Sequence, residues 1–235
     1  MKSVAMITAR GGSKRIPKKN IKMFCGKPII AYSIEAALKS EVFDEVMVST
    51  DSEEIAEVAR SFGANVPFFR SEKASSDFAS TADVLEEVLV TYQQRGQFFK
   101  YCACLYPTAP FITVDRLKKA AAMMESGKAD GVIPVVHFSF PPQRAFVIRN
   151  GTIAFEFPEH EFTRSQDLEP IYHDCGQFYF CDCSMFLAKH SFILPRTVPL
   201  MIPEEEVQDI DTESDWLIAE LKYKTLQDRR NSSGV

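Results

Sequence analysis

The sequence predicts an α/β domain, a mainly parallel sheet between two helical layers with one small hairpin-rich excursion. Three observations carry this. Short, wholly apolar runs alternate with amphipathic runs of helical period as far as Val136, the pattern of strands buried on both faces and joined by helical crossovers. After Val136 the rhythm changes to apolar-polar alternation around Asn150-Gly151, a strong short-range hairpin signal. The 235 residues, 46% of them hydrophobic, suffice to bury a substantial core.

Each element follows in order. "VAMIT" reads as the first strand and "PIIAYSIEAALKS" as the helix after it; "EVMVST" and "SEEIAEVARSFG" repeat the unit. A short strand, "NVPFF", precedes the helix "STADVLEEVLVTYQQRG". "YCACLY", the helix "TVDRLKKAAAMMESG" and "DGVIPVV" complete the regular series. Residues 138–175 form the excursion, which divides a core made of residues 1–137 and 176–235. "FYFCDC" returns as a core strand, "ESDWLIAELKYKTLQ" is the closing helix, and "DRRNSSGV" reads as a frayed tail.

Charge is unevenly placed. The chain carries 27 Lys+Arg against 32 Asp+Glu, yet residues 1–34 hold eight basic residues and no acidic one. The remainder is therefore strongly acidic and offers no duplex-sized basic face, so a compact anionic ligand is expected and nucleic acid is not. No apolar run approaches the roughly 20 residues that span a bilayer, and the start lacks the order of a secretion signal. A transit peptide would be an amphipathic helix, whereas "SVAMIT" reads as a strand. A soluble, cytoplasmic protein without membrane partners is expected. Its six cysteines include two C-x-C pairs and no C-x-x-C, so Cys102 and Cys104 read as reduced core thiols on one strand face.

Two segments carry candidate chemistry. In "ITARGGSKRIPKKN" Gly11 and Gly12 let the backbone approach a ligand, Ser13 supplies a hydroxyl, and Arg10, Lys14 and Lys19 reach phosphate oxygens from the rim. It is neither a P-loop nor a dinucleotide fingerprint. In "QDIDTESDW" an extended backbone would point Asp209 and Asp211 the same way, a pair of hard oxygen ligands suited to magnesium. Asp211 or Thr212 also reads as a helix cap. Asp51 in "STDS", Arg70 with the hydroxyls of "FFRSEKASSDFAST", and the turn "YPTAPF" fall on the same side of the sheet, where open α/β sheets bind their ligands.

In this order and spacing, "ARGGSKRIPKKN", "VSTDS", "YPTAPF" and "QDIDT" resemble the CMP-sialic acid synthetase family over essentially the whole chain. "TRSQDLEPIYHDCGQFYF" most resembles the pseudaminic acid branch of that family. The resemblance implies a three-layer Rossmann-like nucleotidyltransferase fold, with CTP and a nine-carbon keto-sugar acid as substrates, pyrophosphate as co-product and Mg2+ as cofactor. It implies catalytic roles for Arg10, Lys19, Asp209 and Asp211, the last two holding the metal. It assigns Ala9, Arg10, Gly11, Gly12, Ser13, Lys19 and Asn20, then Arg70, Ser80, Thr81 and Tyr106, to CTP. Tyr106 departs from the glutamine usual in the sialic acid enzymes.

The density of donors and acceptors in the excursion suits a polyhydroxylated acid, with Arg164, Gln166, Asp167, His173, Asp174 and Gln177 as sugar-site candidates. His173 is also a candidate general base. The excursion carries six phenylalanines with little core of its own; together with the family's pairing through an inserted arm, this implies a homodimer.

Overall fold

The computed structural model describes residues 2–232. Strand β1 (Ser3–Thr8) runs into the basic loop, which ends in a 3-10 turn and a minimal ribbon of β2 (Met23–Phe24) and β3 (Lys27–Pro28). Helix α1 (Ile30–Ser40), β4 (Glu45–Ser49), α2 (Glu53–Ser61), the short α3 (Glu72–Ser75), α4 (Thr81–Gln94), β5 (Tyr101–Leu105), α5 (Val114–Glu125) and β6 (Gly131–His137) follow. The excursion holds β7 (Phe146–Arg149) and β8 (Thr152–Phe155) and ends in β9 (Tyr172–Asp174). Then come β10 (Phe178–Asp182), α6 (Cys183–Lys189), β11 (Thr197–Met201) and α7 (Glu213–Ser232).

The sheet order is β11-β6-β10-β5-β1-β4, with β9 beside β6. β1 is parallel to both β4 and β5, and β6 to β11, while β10 is antiparallel to both of its neighbours. The expected mainly parallel sheet is therefore present, interrupted by the antiparallel β10 and joined by the antiparallel β9 beside β6. Alternation sorts its side chains: Ala5, Ile7, Ala103 and Leu105 pack under α1, α2 and α5, while Val4, Met6, Cys102 and Cys104 pack under α4 and α6. Cys102 and Cys104 are fully buried thiols, as their spacing predicts.

Three details differ from the sequence reading. "NVPFF" forms no strand: Asn65 makes one bridge to Met47, and Pro67, lacking an N–H, cannot extend the ladder. The last three residues assigned to strand inside the excursion, β9, pair with β6, Val136 opposite His173 and His137 opposite Tyr172. Finally, α7 continues through Ser232, past the start of the segment read as frayed; residues 233–235 of that segment lie outside the described residues.

The hairpin stands where Asn150-Gly151 placed it, both residues at positive φ (51° and 78°) as a two-residue primed turn requires. Phe146 faces Phe155, and Ile148 faces Ile153. These four lie on one face of the ribbon, and Phe146, Ile148 and Ile153 are exposed, as are Phe140 and Phe162 nearby. Phe138 instead packs on the His173 ring, 4.5 Å between centroids.

Candidate functional site

Two adjoining cavities open on the sheet, the first at the carboxyl ends of β1 and β5 and the second beside β6, β9, β10 and β11, and they share Ser80, Thr81 and Tyr106. The first, of about 460 Å³, is lined by Arg10, Ser13, Lys14, Arg15, Lys19 and Arg70 together with Asn20 and the three shared residues. All eight of the side chains expected at a nucleotide from Arg10, Ser13, Lys19, Asn20, Arg70, Ser80, Thr81 and Tyr106 thus meet in one place.

Local structure explains how. The Asn20 amide, buried beneath the basic loop, donates to the Arg10 carbonyl at 2.9 Å. Asp51, at the end of β4, accepts the Gly11 N–H at 2.7 Å. A Cβ at Gly11 would stand 3.2 Å from that of Ser52, so this approach admits glycine alone without displacement. The Ser13 N–H donates to the Gly11 carbonyl at 3.0 Å. Two of the amides in the expected phosphate cradle are therefore turned inward, and the cationic side chains, rather than the loop backbone, face the cavity. Ala9 is fully buried, its N–H on the Ser49 carbonyl, and neither it nor Gly11 or Gly12 lines the cavity.

Arg70 is 9% exposed and donates to the Ser49 carbonyl at 2.7 Å and the Ser49 hydroxyl at 3.1 Å; burial draws its pKa below the usual arginine value. Ser80 caps α4 in a reciprocal arrangement with Asp83, and this also holds its hydroxyl at the cavity wall. Thr81 Oγ1 and Tyr106 Oη lie 3.3 Å apart.

Asp77, which the sequence reading passed over inside a run of hydroxyl residues, sits opposite the basic loop. It accepts from Arg10 at 2.9 Å and Lys14 at 2.5 Å, and the two cations hold its carboxyl below the usual range, Lys14 contributing most. An incoming polyanion must compete with this carboxylate for both cations. Asp77→Asn is expected to tighten triphosphate binding roughly two- to fivefold, the scale of exposed ion pairs. Isothermal titration with CTP measures it; weaker binding in the variant would show Asp77 to be a ligand contact instead of a competitor.

The acidic segment divides its duties. Thr212 and Asp215 form the cap of α7, Asp215 accepting from the Thr212 N–H and hydroxyl at 2.8 Å each. Asp211 is left for the basic loop: its Oδ1 accepts from Arg15 Nη2 at 2.8 Å and lies 3.4 Å from Lys19 Nζ, which also donates to the Ile210 carbonyl at 2.7 Å. Ile210 is buried between Asp209 and Asp211, so both carboxylates lie on the outer side. Asp209 lines a neighbouring hollow with Phe138, His173 and Lys222. Among the described residues no group of three or more His, Cys, Asp or Glu gathers as a metal cluster. Asp211, bonded to the basic loop, and Asp209, in the neighbouring hollow, are hard oxygen ligands of the kind magnesium takes in small number, completing its shell with phosphate oxygens and water.

The second cavity, of about 710 Å³, receives His173 and Asp174 from β9 and Tyr179 from β10. Asp174 accepts from the Tyr179 hydroxyl and, at 2.7 Å, from the Gly176 N–H. Tyr179 lies between Phe192, stacked at 4.4 Å, and the edge of Tyr106 at 5.8 Å. Burial, then the bond to Asp174, raises the Tyr179 pKa, and burial raises that of Tyr106, so both remain neutral phenols. His173 Nδ1 is 2.9 Å from the Asp174 carbonyl oxygen.

The other sugar-site candidates lie elsewhere. Arg164 and Asp167 pair at 2.7 Å on the exposed arm, with Gln166 between them. Gln177 is buried, its Nε2 on the Glu206 carbonyl at 2.8 Å, and it lines neither cavity. Tyr179 was hidden in the sequence inside "FYF", an apparent core run. Only the period of two, which sends Phe178 and Phe180 to one face and Tyr179 to the other, distinguishes it.

The family described as Cytidylyltransferase matches residues 4–211. Over 225 residues the chain is 42% identical to the pseudaminic acid cytidylyltransferase of Campylobacter jejuni, covering 95% of this chain and 97% of that one. It is 35% identical to the CMP-N,N'-diacetyllegionaminic acid synthase of Legionella pneumophila, covering 94% and 95%. Among solved structures, CMP:2-keto-3-deoxy-manno-octonic acid synthetase complexed with CTP matches with a TM-score of 0.67 at 18% identity, over 97% of this chain and 100% of that one, a likeness of fold.

Proposed function

Since the chain belongs to the Cytidylyltransferase family, we propose that it joins CTP to a nine-carbon keto-sugar acid of the pseudaminic type, releasing pyrophosphate and forming the CMP-sugar. The observation that carries this reading is the pair of adjoining cavities, one lined by five Lys or Arg side chains and the other by none, meeting at Ser80, Thr81 and Tyr106.

The triphosphate lies among Arg10, Ser13, Lys14, Arg15 and Lys19, and the nucleoside reaches toward Arg70, Ser80 and Thr81. The sugar enters the second cavity with its anomeric hydroxyl toward the shared wall. That oxygen attacks the α-phosphorus in line; a new P–O bond forms, the bond to the β-phosphate oxygen breaks, and the hydroxyl proton is released. Arg10 and Lys19 face the pyrophosphate as charge builds on it, a preorganised electrostatic contribution. Asp209 and Asp211 would hold Mg2+, which supplies charge neutralisation and lowers the pKa of a bound hydroxyl. Asp174, fixed by Tyr179 and Gly176, and His173 form the polar rim of the sugar cavity.

The assay is pyrophosphate release with CTP and a panel of pseudaminic, legionaminic, sialic and 3-deoxy-octulosonic acids, with product mass measured. CMP-pseudaminic acid is the expected product. Preference for another acid moves the reading to that branch, and absence of pyrophosphate with every acid refutes it.

The arm supports a homodimer in which the partner's arm closes over the sugar end. A two-stranded ribbon is marginal alone, and this one turns Phe146, Ile148 and Ile153 outward with Phe140 and Phe162 beside them; such a patch is stable when covered. Arg164, remote from its own chain's sugar cavity, would then be free to reach the partner's. Light scattering at micromolar concentration is expected to give about twice the 26.5 kDa chain mass, with Ile148→Glu and Ile153→Glu shifting it to monomer and weakening sugar use more than CTP binding. Full activity from a monomer would remove the partner from the site. The six free cysteines accord with a reducing cytoplasm; among the described residues no helix is long and apolar enough to cross a membrane.

A further inference from the structure

Four cations of the first cavity are shared between two acids: Asp77 takes Arg10 and Lys14, and Asp211 takes Arg15 and Lys19. Asp211 does not line the cavity itself, whereas Arg15 and Lys19 do. These two cations are held differently. Lys19 has a second, shorter bond to the Ile210 carbonyl at 2.7 Å, and its side chain is 22% exposed. Arg15 is 67% exposed, and Asp211 is the one hydrogen-bond partner of its side chain among the described residues, Nη2 to Oδ1 at 2.8 Å. Lys19 therefore stays anchored if Asp211 changes partner, and Arg15 does not.

Oδ1 of Asp211 thus already carries a guanidinium at bonding distance. A divalent cation on the same carboxylate would repel that guanidinium, so the two are alternatives. Once released, Arg15 stands on the wall of the cavity assigned to the triphosphate, and a guanidinium makes forked bonds to phosphate oxygens. Resting on the function proposed above and on Asp211 as a magnesium ligand, we infer that Arg15 is an exchange residue: it holds Asp211 until a divalent cation replaces it, then moves onto the triphosphate. Each ligand favours the move that the other requires, so metal and nucleotide bind with positive coupling through this one side chain. The coupling is modest, because an exposed ion pair is weak and breaking it costs the metal about two- to fivefold in affinity.

The test uses Mn2+ in place of Mg2+, with free Mn2+ counted by electron paramagnetic resonance and no nucleotide present. Arg15→Gln is expected to bind Mn2+ about two- to fivefold tighter than wild type. Arg15→Lys, which restores the charge, should return toward wild type, and Asp211→Asn should bind about tenfold more weakly. Titration calorimetry with CTP supplies the second arm. Arg15→Gln is expected to weaken CTP binding about tenfold in saturating Mg2+, where the guanidinium bonds to phosphate, and by less than about twofold in EDTA, where it stays on Asp211. The exposure of Arg15 leaves the thermal midpoint near wild type. Unchanged or weaker Mn2+ binding in Arg15→Gln while Asp211→Asn loses the ion, or equal losses of CTP affinity with and without metal, would overturn the exchange and leave the cytidylyltransferase reading standing. Mn2+ binding that neither Asp211→Asn nor Arg15→Gln alters would instead remove the metal assignment beneath the inference, and absence of pyrophosphate with every acid would remove the function itself.

Discussion

Asp211→Asn is expected to reduce turnover about a hundredfold, the usual loss when one strong electrostatic contact to a transition state is removed, while the protein stays folded. The side chain is nearly isosteric, and its structural duties are light. The cap of α7 belongs to Thr212 and Asp215, and the bond from Asp211 to Arg15 is between partly exposed groups, a kind of pair that contributes little to stability. What the amide cannot supply is a full negative charge beside Arg15 and Lys19. Asp209→Asn is expected to behave in the same way, with loss of magnesium affinity as the cause. Asp215→Ala provides the contrast: it should lower the thermal midpoint and leave turnover nearly unchanged. Steady-state rates across a magnesium titration, with circular dichroism on each variant, decide the matter. Near-normal rates for Asp211→Asn at ordinary magnesium concentration would show that the carboxylate serves the basic loop alone.

Lys19→Ala is expected to lower kcat/KM for CTP by about a hundredfold, on the scale of other lost transition-state contacts. Its ammonium is anchored by the Ile210 carbonyl at 2.7 Å, so it is held at the cavity wall instead of being screened in solvent, and its 22% side-chain exposure marks it off from its neighbours. The exposed Lys2 sits outside the cavity, and Lys2→Ala should change nothing measurable. Lys22 pairs with Glu213 and lies 4.6 Å from the centroid of the Trp216 ring, so Lys22→Ala should cost stability and spare nucleotide use. Equal losses in all three variants would mean that the segment acts as a diffuse basic surface.

The fold was legible wherever local pattern and burial agree. Each crossover unit up to β6 follows from apolar runs of strand length between amphipathic helices, and the Asn150-Gly151 turn follows from the need for two positive φ angles. "NVPFF" was misread because propensity favours a strand there, while the missing N–H of Pro67 limits pairing to one bridge. The basic cavity was legible because its residues, Arg70 and Asn20 among them, lie in loops whose types have few other uses, and because a neighbouring glycine, Gly11, must approach Ser52. Asp77 was not, since a single acid among serines looks like a helix-start residue until Arg10 and Lys14 are placed across from it.

The pairing of β9 with the end of β6 joins the two feet of the excursion, His137 opposite Tyr172 and Val136 opposite His173. The chain leaves the sheet and re-enters it at one hydrogen-bonded point. Closure of the segment between is thereby set by the register of two strands and not by its own length, and the entropy of closing a loop grows only slowly with added residues. Residues 138–171 are therefore expected to tolerate lengthening, shortening or exchange as long as the register of β6 and β9 is kept. A chimera carrying a foreign arm between the same two feet is expected to fold with this chain's sheet order, a result that circular dichroism and thermal melting would check.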